Sequence, residues 1–172
     1  GLMKAAIRDN NPVVFFEHMA LYHGARQDVP EEDYIVPLGE AEVKSEGGDV
    51  TIVATALMAQ QALKAAEQLR GDGISAEVVD PRSIVPMDVG TVLRSVAKTR
   101  RLVVVSESWK TGDPLSDLTA SIAEELAGDA PLKIARVGLQ NTPRPYAMPL
   151  VRAAMPNVQT ITEAVRRITE SH

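Results

Sequence analysis

"VTIVATALMAQQALKAAEQLRGDGISAEVV", residues 50–79, decides the fold. It opens on an apolar, β-branched run, "VTIVA". Met58, Ala62, Ala65, Ala66 and Leu69 then recur at spacings that share one face of a helix. A second apolar run, "AEVV", follows at 76–79. A strand that reads as a continuous apolar run is buried on both faces, and strands joined by single helices run parallel. The intervening "GDGISA" (71–76) spells G-x-G-x-x-A, but a dinucleotide fingerprint must follow a strand and open a helix, so that the pyrophosphate meets the helix amino end. Here the order is reversed, and Gly71 and Gly73 are read as helix C-cap and turn residues.

The same alternation extends outward. "LVVV" (102–105) and "LKIARV" (132–137) are further short strands. Between them lie helical stripes: Val89, Val92, Leu93 and Val96, then Leu115, Leu118, Ile122 and Leu126. A last helix carries Ile161, Ala164, Val165 and Ile168 on one side and is expected to open on a Thr160–Glu163 capping box. From about residue 38 the expectation is an α/β fold: an open, mostly parallel sheet flanked by helices, three layers in αβα order. The first residues differ. "GLMKAAIRD" has helical spacing and stops at Asn10-Asn11-Pro12, and "VVFFEH" (13–18) reads as a buried strand. "GARQDVPEEDYIVPLGE" (24–40) holds two Gly, two Pro and five acidic residues without a sustained period, which marks a linker. Residues 1–36 therefore read as the tail of another domain plus linker, and residues 37–172 as the α/β domain.

Composition narrows the function classes. Aromatics are 3% of a chain that is 45% hydrophobic, so the core must be aliphatic. The net charge of −5 disfavours a nucleic-acid or anionic-membrane partner. No cysteine is present, which excludes disulfides and thiolate metal sites and makes a cytoplasmic setting the simplest. No apolar run approaches the ~20 residues of a membrane span. The start lacks a secretory h-region and an initiator Met, which suggests a piece of a longer protein.

In open α/β sheets ligands and interfaces gather where strands end at their carboxyl termini. Three loops fall there. "DPRSIVPMD" (80–88) is a strand-to-helix corner in which Asp88 is placed to cap the next helix and Pro86 keeps the chain extended, leaving Asp80 and Arg82 as a charged pair. "SESWKTGDP" (106–114) contains the sole tryptophan, Trp109, and ends on Asp113-Pro114 as N-cap and first helical residue. "NTPRPYAMP" (141–149) carries Arg144 and Tyr146. Buried aromatic and Arg anchors dominate interface energies, so Arg82, Trp109, Arg144 and Tyr146 are the candidate interface residues, with Trp109 equally open to being partly buried under its own loop. His18 and His23, with Glu17, have the wrong spacing for a metal pair on a helix or strand. Serine-hydrolase, P-loop and zinc-protease signatures are missing, and the thiamine-type Gly-Asp-Gly at 71–73 has no Asn-Asn downstream, the only such pair lying upstream at 10–11. The residues thus give no catalytic, cofactor-binding or metal set, and they describe a binding or assembly domain.

The ordered pieces "NPVVFFEHMALY", "PEEDYIVPLG", "DVTIVA", "VVDPRSIVPMD", "RLVVVSES" and "TPRPYAMP" resemble the carboxyl-terminal half of the beta subunit of thiamine-dependent 2-oxo acid dehydrogenases, the pyruvate, branched-chain and acetoin group. The resemblance spans essentially the whole chain. It implies that residues 38–172 are similar to a transketolase C-terminal domain and residues 1–36 to the end of a pyrimidine-binding domain. It implies a full oxidoreductase that decarboxylates a 2-oxo acid on thiamine diphosphate and magnesium and acylates lipoyl groups. The catalytic residues and the cofactor would lie outside this segment, which alone would be inactive and bind neither. The implied partners are an alpha subunit, the lipoyl acyltransferase and a second beta chain. One stretch departs from the family: after "SES" a Gly-Gly-aromatic-Gly sequence is usual, whereas this chain has "WKTGDPLSDL" with only Gly112 retained. A second class of function is an independent small α/β protein that binds a nucleotide or flavin at its strand ends, although "ATALMAQ" after the first strand offers no phosphate loop.

Overall fold

The structure is a computed structural model that describes every residue except Ala25, Gln27, Asp129, Gln140, Ser171 and His172. Five strands form one sheet: β1 (Glu42–Ser45), β2 (Val50–Ala54), β3 (Ala76–Asp80), β4 (Arg101–Trp109) and β5 (Lys133–Leu139). Their order is β1-β3-β2-β4-β5, with β2 to β5 parallel and β1 antiparallel at one edge. The mostly parallel α/β sandwich read from the sequence is therefore present, with one added strand. Sequence periodicity missed β1 because its four residues are half-exposed and alternate too briefly to register.

Side-chain alternation along the central strands builds two cores. Val50, Ile52, Ala54, Val78, Val103 and Val105 face helices α3 (Ala56–Gly71) and α7 (Val158–Glu170). Val53, Val79, Leu102 and Val104 face α4 (Val89–Thr99) and α5 (Pro114–Glu125). All five residues of β2 are buried, as a strand covered on both faces requires. Each helical stripe points inward: Met58, Ala62, Ala65, Ala66 and Leu69 on α3 are buried, as are Ile161, Ala164, Val165 and Ile168 on α7. Small alanines let α3 lie close to the sheet, and the aliphatic packing replaces the missing aromatics.

Polar groups pin the amino end of the sheet to α4. The Thr51 hydroxyl meets Ser95 Oγ at 2.7 Å and Thr99 Oγ1 at 2.8 Å, all three buried. Beside them Glu77, 2% exposed, takes the ammonium of Lys98 and the amide of Gly47 at 3.2 Å. Burial raises the Glu77 carboxyl, but Lys98 and the surrounding donors outweigh it and hold the pKa below its ordinary value.

The helix ends follow the sequence with two corrections, the first that α3 runs through Gly71 to a C-cap at Asp72. Asp88 accepts from Thr91 N at 2.9 Å, and Asp113 accepts from Leu115 N at 3.0 Å with Pro114 next to it. After α3, Ile74 N and Gly73 N bond back to Leu69 O and Arg70 O with Gly73 at φ +80°, so the "GDG" is a helix terminator. The capping box of α7 sits earlier than Thr160–Glu163: Asn157 Oδ1 accepts from Thr160 N (3.1 Å) while Thr160 Oγ1 accepts from Asn157 N (2.9 Å). An Asn three residues before a Thr makes the same reciprocal closure.

The first 36 residues form α1 (Leu2–Arg8), an extended stretch and α2 (Met19–Gly24). Asp33 folds back onto α1 through Lys4 (2.8 Å) and Arg8 (2.9 Å), which lower its pKa to about 2. "VVFFEH" is a correction: it is extended but unpaired, with Val14 78% and Phe16 90% exposed. A strand needs a neighbouring strand to satisfy its backbone, and none among the described residues lies beside it. A further short helix, α6 (Met148–Ala154), starts within the Pro-rich loop, with Pro149 in its first turn, where a missing amide costs nothing.

Candidate interface at the carboxyl edge of the sheet

Three loops leave the carboxyl ends of β3, β4 and β5 and bring most of the candidate residues to one edge. Arg82 stands at φ +60°, a left-handed conformation, just after β3. Its guanidinium bonds Glu42 on β1 at 2.5 Å, and Lys44 reaches the same carboxylate oxygen at 2.7 Å. The expected Asp80–Arg82 charge pair is thus corrected: Asp80 Oδ1 accepts the backbone amide of Arg82 at 3.0 Å, and the side-chain partner is Glu42. The tight turn after Asp80 leads the Arg82 side chain toward β1, the strand that periodicity did not reveal. Burial pushes the Asp80 carboxyl above its ordinary pKa, against the smaller lowering effects of the Arg82 amide, Lys44 and Arg82. Lys44 and then Arg82 act oppositely on Glu42, lowering it despite partial burial.

Trp109 ends β4 and is 42% exposed. Its indole N–H donates to Thr142 O at 3.1 Å, which joins the β4 loop to the "NTPRPYAMP" loop. Arg144 is exposed on that loop and Tyr146 is fully so, at 100%. Trp109, Thr111 and Asn141 line a shallow depression of about 400 Å³. The structure therefore joins Trp109 to the loop that carries Arg144 and Tyr146, at the β4–β5 end of the edge. Arg82 stands apart, at the β1–β3 end, with β2 between. Ile84 and Val85, 42% and 90% exposed on the same loop as Arg82, were not singled out from the sequence; their apolar pair in a proline-flanked loop was the available signal.

Among the described residues no group of three or more His, Cys, Asp or Glu side chains could hold a metal ion. The Gly-Asp-Gly at 71–73 lies at the opposite, amino edge of the sheet, where Asp72 is bonded by Arg166 at 2.6 Å.

A five-stranded sheet with one antiparallel edge strand and helices on both faces defines an open, mostly parallel α/β domain. The chain belongs to the family of transketolase C-terminal domains, whose pattern matches residues 39–161. It is homologous to beta subunits of 2-oxo acid dehydrogenases: 42% identical over 170 residues to the pyruvate dehydrogenase E1 component subunit beta of Bacillus subtilis strain 168, and 39% over 171 residues to the 2-oxoisovalerate dehydrogenase subunit beta of the same organism. Each match takes in 99% of this chain and 52% of the relative, so the chain spans about half the length of the curated relatives it matches. Among solved structures, a split-gene transketolase described as an inactive beta4 tetramer superposes with a TM-score of 0.69 at 28% identity, covering 84% of this chain and 46% of that one.

Proposed function

We propose that the chain is the carboxyl-terminal part of the beta subunit of a thiamine-dependent 2-oxo acid dehydrogenase, with residues 1–36 the tail of a pyrimidine-binding domain plus linker and residues 37–172 an assembly domain. In this reading the complete cytoplasmic enzyme decarboxylates a 2-oxo acid on thiamine diphosphate and magnesium and passes the acyl group to lipoyl groups. The chain itself supplies contacts to a second beta chain, to the alpha subunit and to the acyltransferase core, and no catalytic group.

The observation that carries the reading is the run of exposed apolar side chains on the first segment: Val14, Phe16, Met19 and Tyr22 are 78%, 90%, 81% and 61% exposed. Large apolar side chains left this exposed within nine residues mark a segment that another protein surface covers. The 2-oxo acid dehydrogenase homology supports the choice of partner. The alternative, an independent nucleotide- or flavin-binding protein, gains no support from the β2–α3 corner, where Thr55 makes no side-chain cap and no glycine-rich loop follows.

Titration calorimetry tests the reading. The isolated chain takes up no thiamine diphosphate in the presence of magnesium at micromolar concentration, and it binds the lipoyl acyltransferase of the same enzyme. Micromolar cofactor binding to this chain, or no binding of the acyltransferase, overturns the assignment.

A further inference from the structure

The order β1-β3-β2-β4-β5 sends the chain one way from β2 to β3 and the other way past β2 to β4. The ends of β2 and β4 therefore bound the point where the connection reverses, the place at which open α/β sheets hold their ligands. The last β2–β4 pair is Ala54 with Val105, so Glu107 lies just beyond it, beside the Thr55 corner that opens α3. This corner is met by the chain's own first segment. His18 Nε2 stands 2.6 Å from Glu107 Oε2, and α2 packs against α3.

The burial pattern isolates that contact. From Ile7 to Gly24 every residue is exposed except two, His18 and Leu21. The two are one helical turn apart, with Leu21 N bonding to His18 O at 2.9 Å. The His18 and Glu107 side chains are only 26% and 22% exposed. Both imidazole nitrogens are engaged: the Ala20 amide donates to Nδ1 at 3.2 Å, which leaves Nε2 as the donor to the Glu107 carboxylate. One side chain thus starts the helix and fastens it to the sheet.

We propose that the His18–Glu107 bond is a clasp that holds residues 18–24 as a strap across the switch point, the place where this architecture takes a ligand. The clasp also sets the direction in which the preceding apolar residues, Val14 and Phe16, leave the domain. His18 and Glu107 are positioning residues in this device. The proposal stands independently of which enzyme the chain belongs to.

Amide hydrogen exchange on the whole 172-residue chain tests it. His18→Asn keeps an acceptor for the Ala20 amide and removes the group that reaches Glu107, so it breaks the clasp without removing the helix start. Glu107→Ala breaks it from the other side. A charge-assisted, partly buried hydrogen bond corresponds to roughly tenfold. Each variant should therefore speed exchange of the α2 amides about tenfold and leave β2 and β4 protected as in the parent chain. The double variant should do no more than either single one, because both remove the same bond. Glu107→Gln, which retains an acceptor, should recover most of the protection. Unchanged exchange in α2, additive effects of the two substitutions, or loss of protection throughout the sheet would each overturn the proposal.

Discussion

Asp88 accepts the backbone amide of Ala41 at 3.1 Å, so the residue that caps α4 also ties down the segment leading into β1. The same carboxylate takes the amide and hydroxyl of Thr91, at 2.9 and 2.6 Å. Replacing Asp88 with Ala leaves two amides without these acceptors and should cost about 1–2 kcal/mol. Burial raises the Asp88 carboxyl, but the Thr91 and Ala41 donors prevail and its pKa lies below the ordinary value. The contribution is accordingly present above about pH 3.9 and is lost as pH falls through the lower folded value. Urea unfolding of parent and Asp88→Ala across acid pH should show the two curves converging at the acid end.

Asp80, at the other end of the same loop, should behave in the opposite sense. Its folded pKa is raised, chiefly by burial, so the native state holds the proton more tightly than the unfolded chain. Stability contributed by this group is full below about pH 3.9 and declines as pH rises through the folded value. Asp80→Asn retains an oxygen for the Arg82 amide and removes the buried charge. It should leave the chain as stable as the parent at low pH and more stable at neutral pH. A variant less stable than the parent at neutral pH would show that the attraction of Lys44 and Arg82 outweighs burial.

Gly47 lies against β3 with no room for a side chain: a Cβ there would sit 2.3 Å from both the Ala76 carbonyl carbon and the Glu77 amide nitrogen. Backbone cannot yield as a flexible side chain does. Gly47→Ala should push the β1–β2 turn off the sheet, lengthen the Gly47–Glu77 bond and cost about 1–3 kcal/mol. Gly48, with nothing within 4 Å of its Cβ position, is the control and should accept Ala with little change in the urea midpoint.

The elements with continuous apolar runs were legible because both of their faces meet helices. β2 and the "LVVV" of β4 needed only composition and length to be read. β1 was not legible, since its identity as a strand comes from pairing with β3, as Glu42 with Asp80 and Val43 with Val79. Missing β1 also hid the partner of Arg82, because Glu42 is supplied by that strand. "VVFFEH" shows the converse: its pattern suits a strand, yet a pattern cannot provide the neighbour that a strand requires. At the site, the loops bearing Trp109, Arg144 and Tyr146 could be placed at strand ends from the alternation alone. The bond from Trp109 to Thr142 and the His18–Glu107 contact join residues far apart in the chain, and no local period records them.

The proposed assembly role puts a subunit contact at the carboxyl edge of the sheet, and sedimentation equilibrium of this chain measures that contact. The expected result is a two-fold dimer, isologous as most homodimers are. With Trp109, 42% exposed, and Tyr146, fully exposed, as the proposed anchors, Trp109→Ala or Tyr146→Ala should shift the dimer toward monomer by a few kcal/mol at most. A strict monomer at high concentration would contradict the dimer, and unchanged association in both variants would contradict the placing of its anchors.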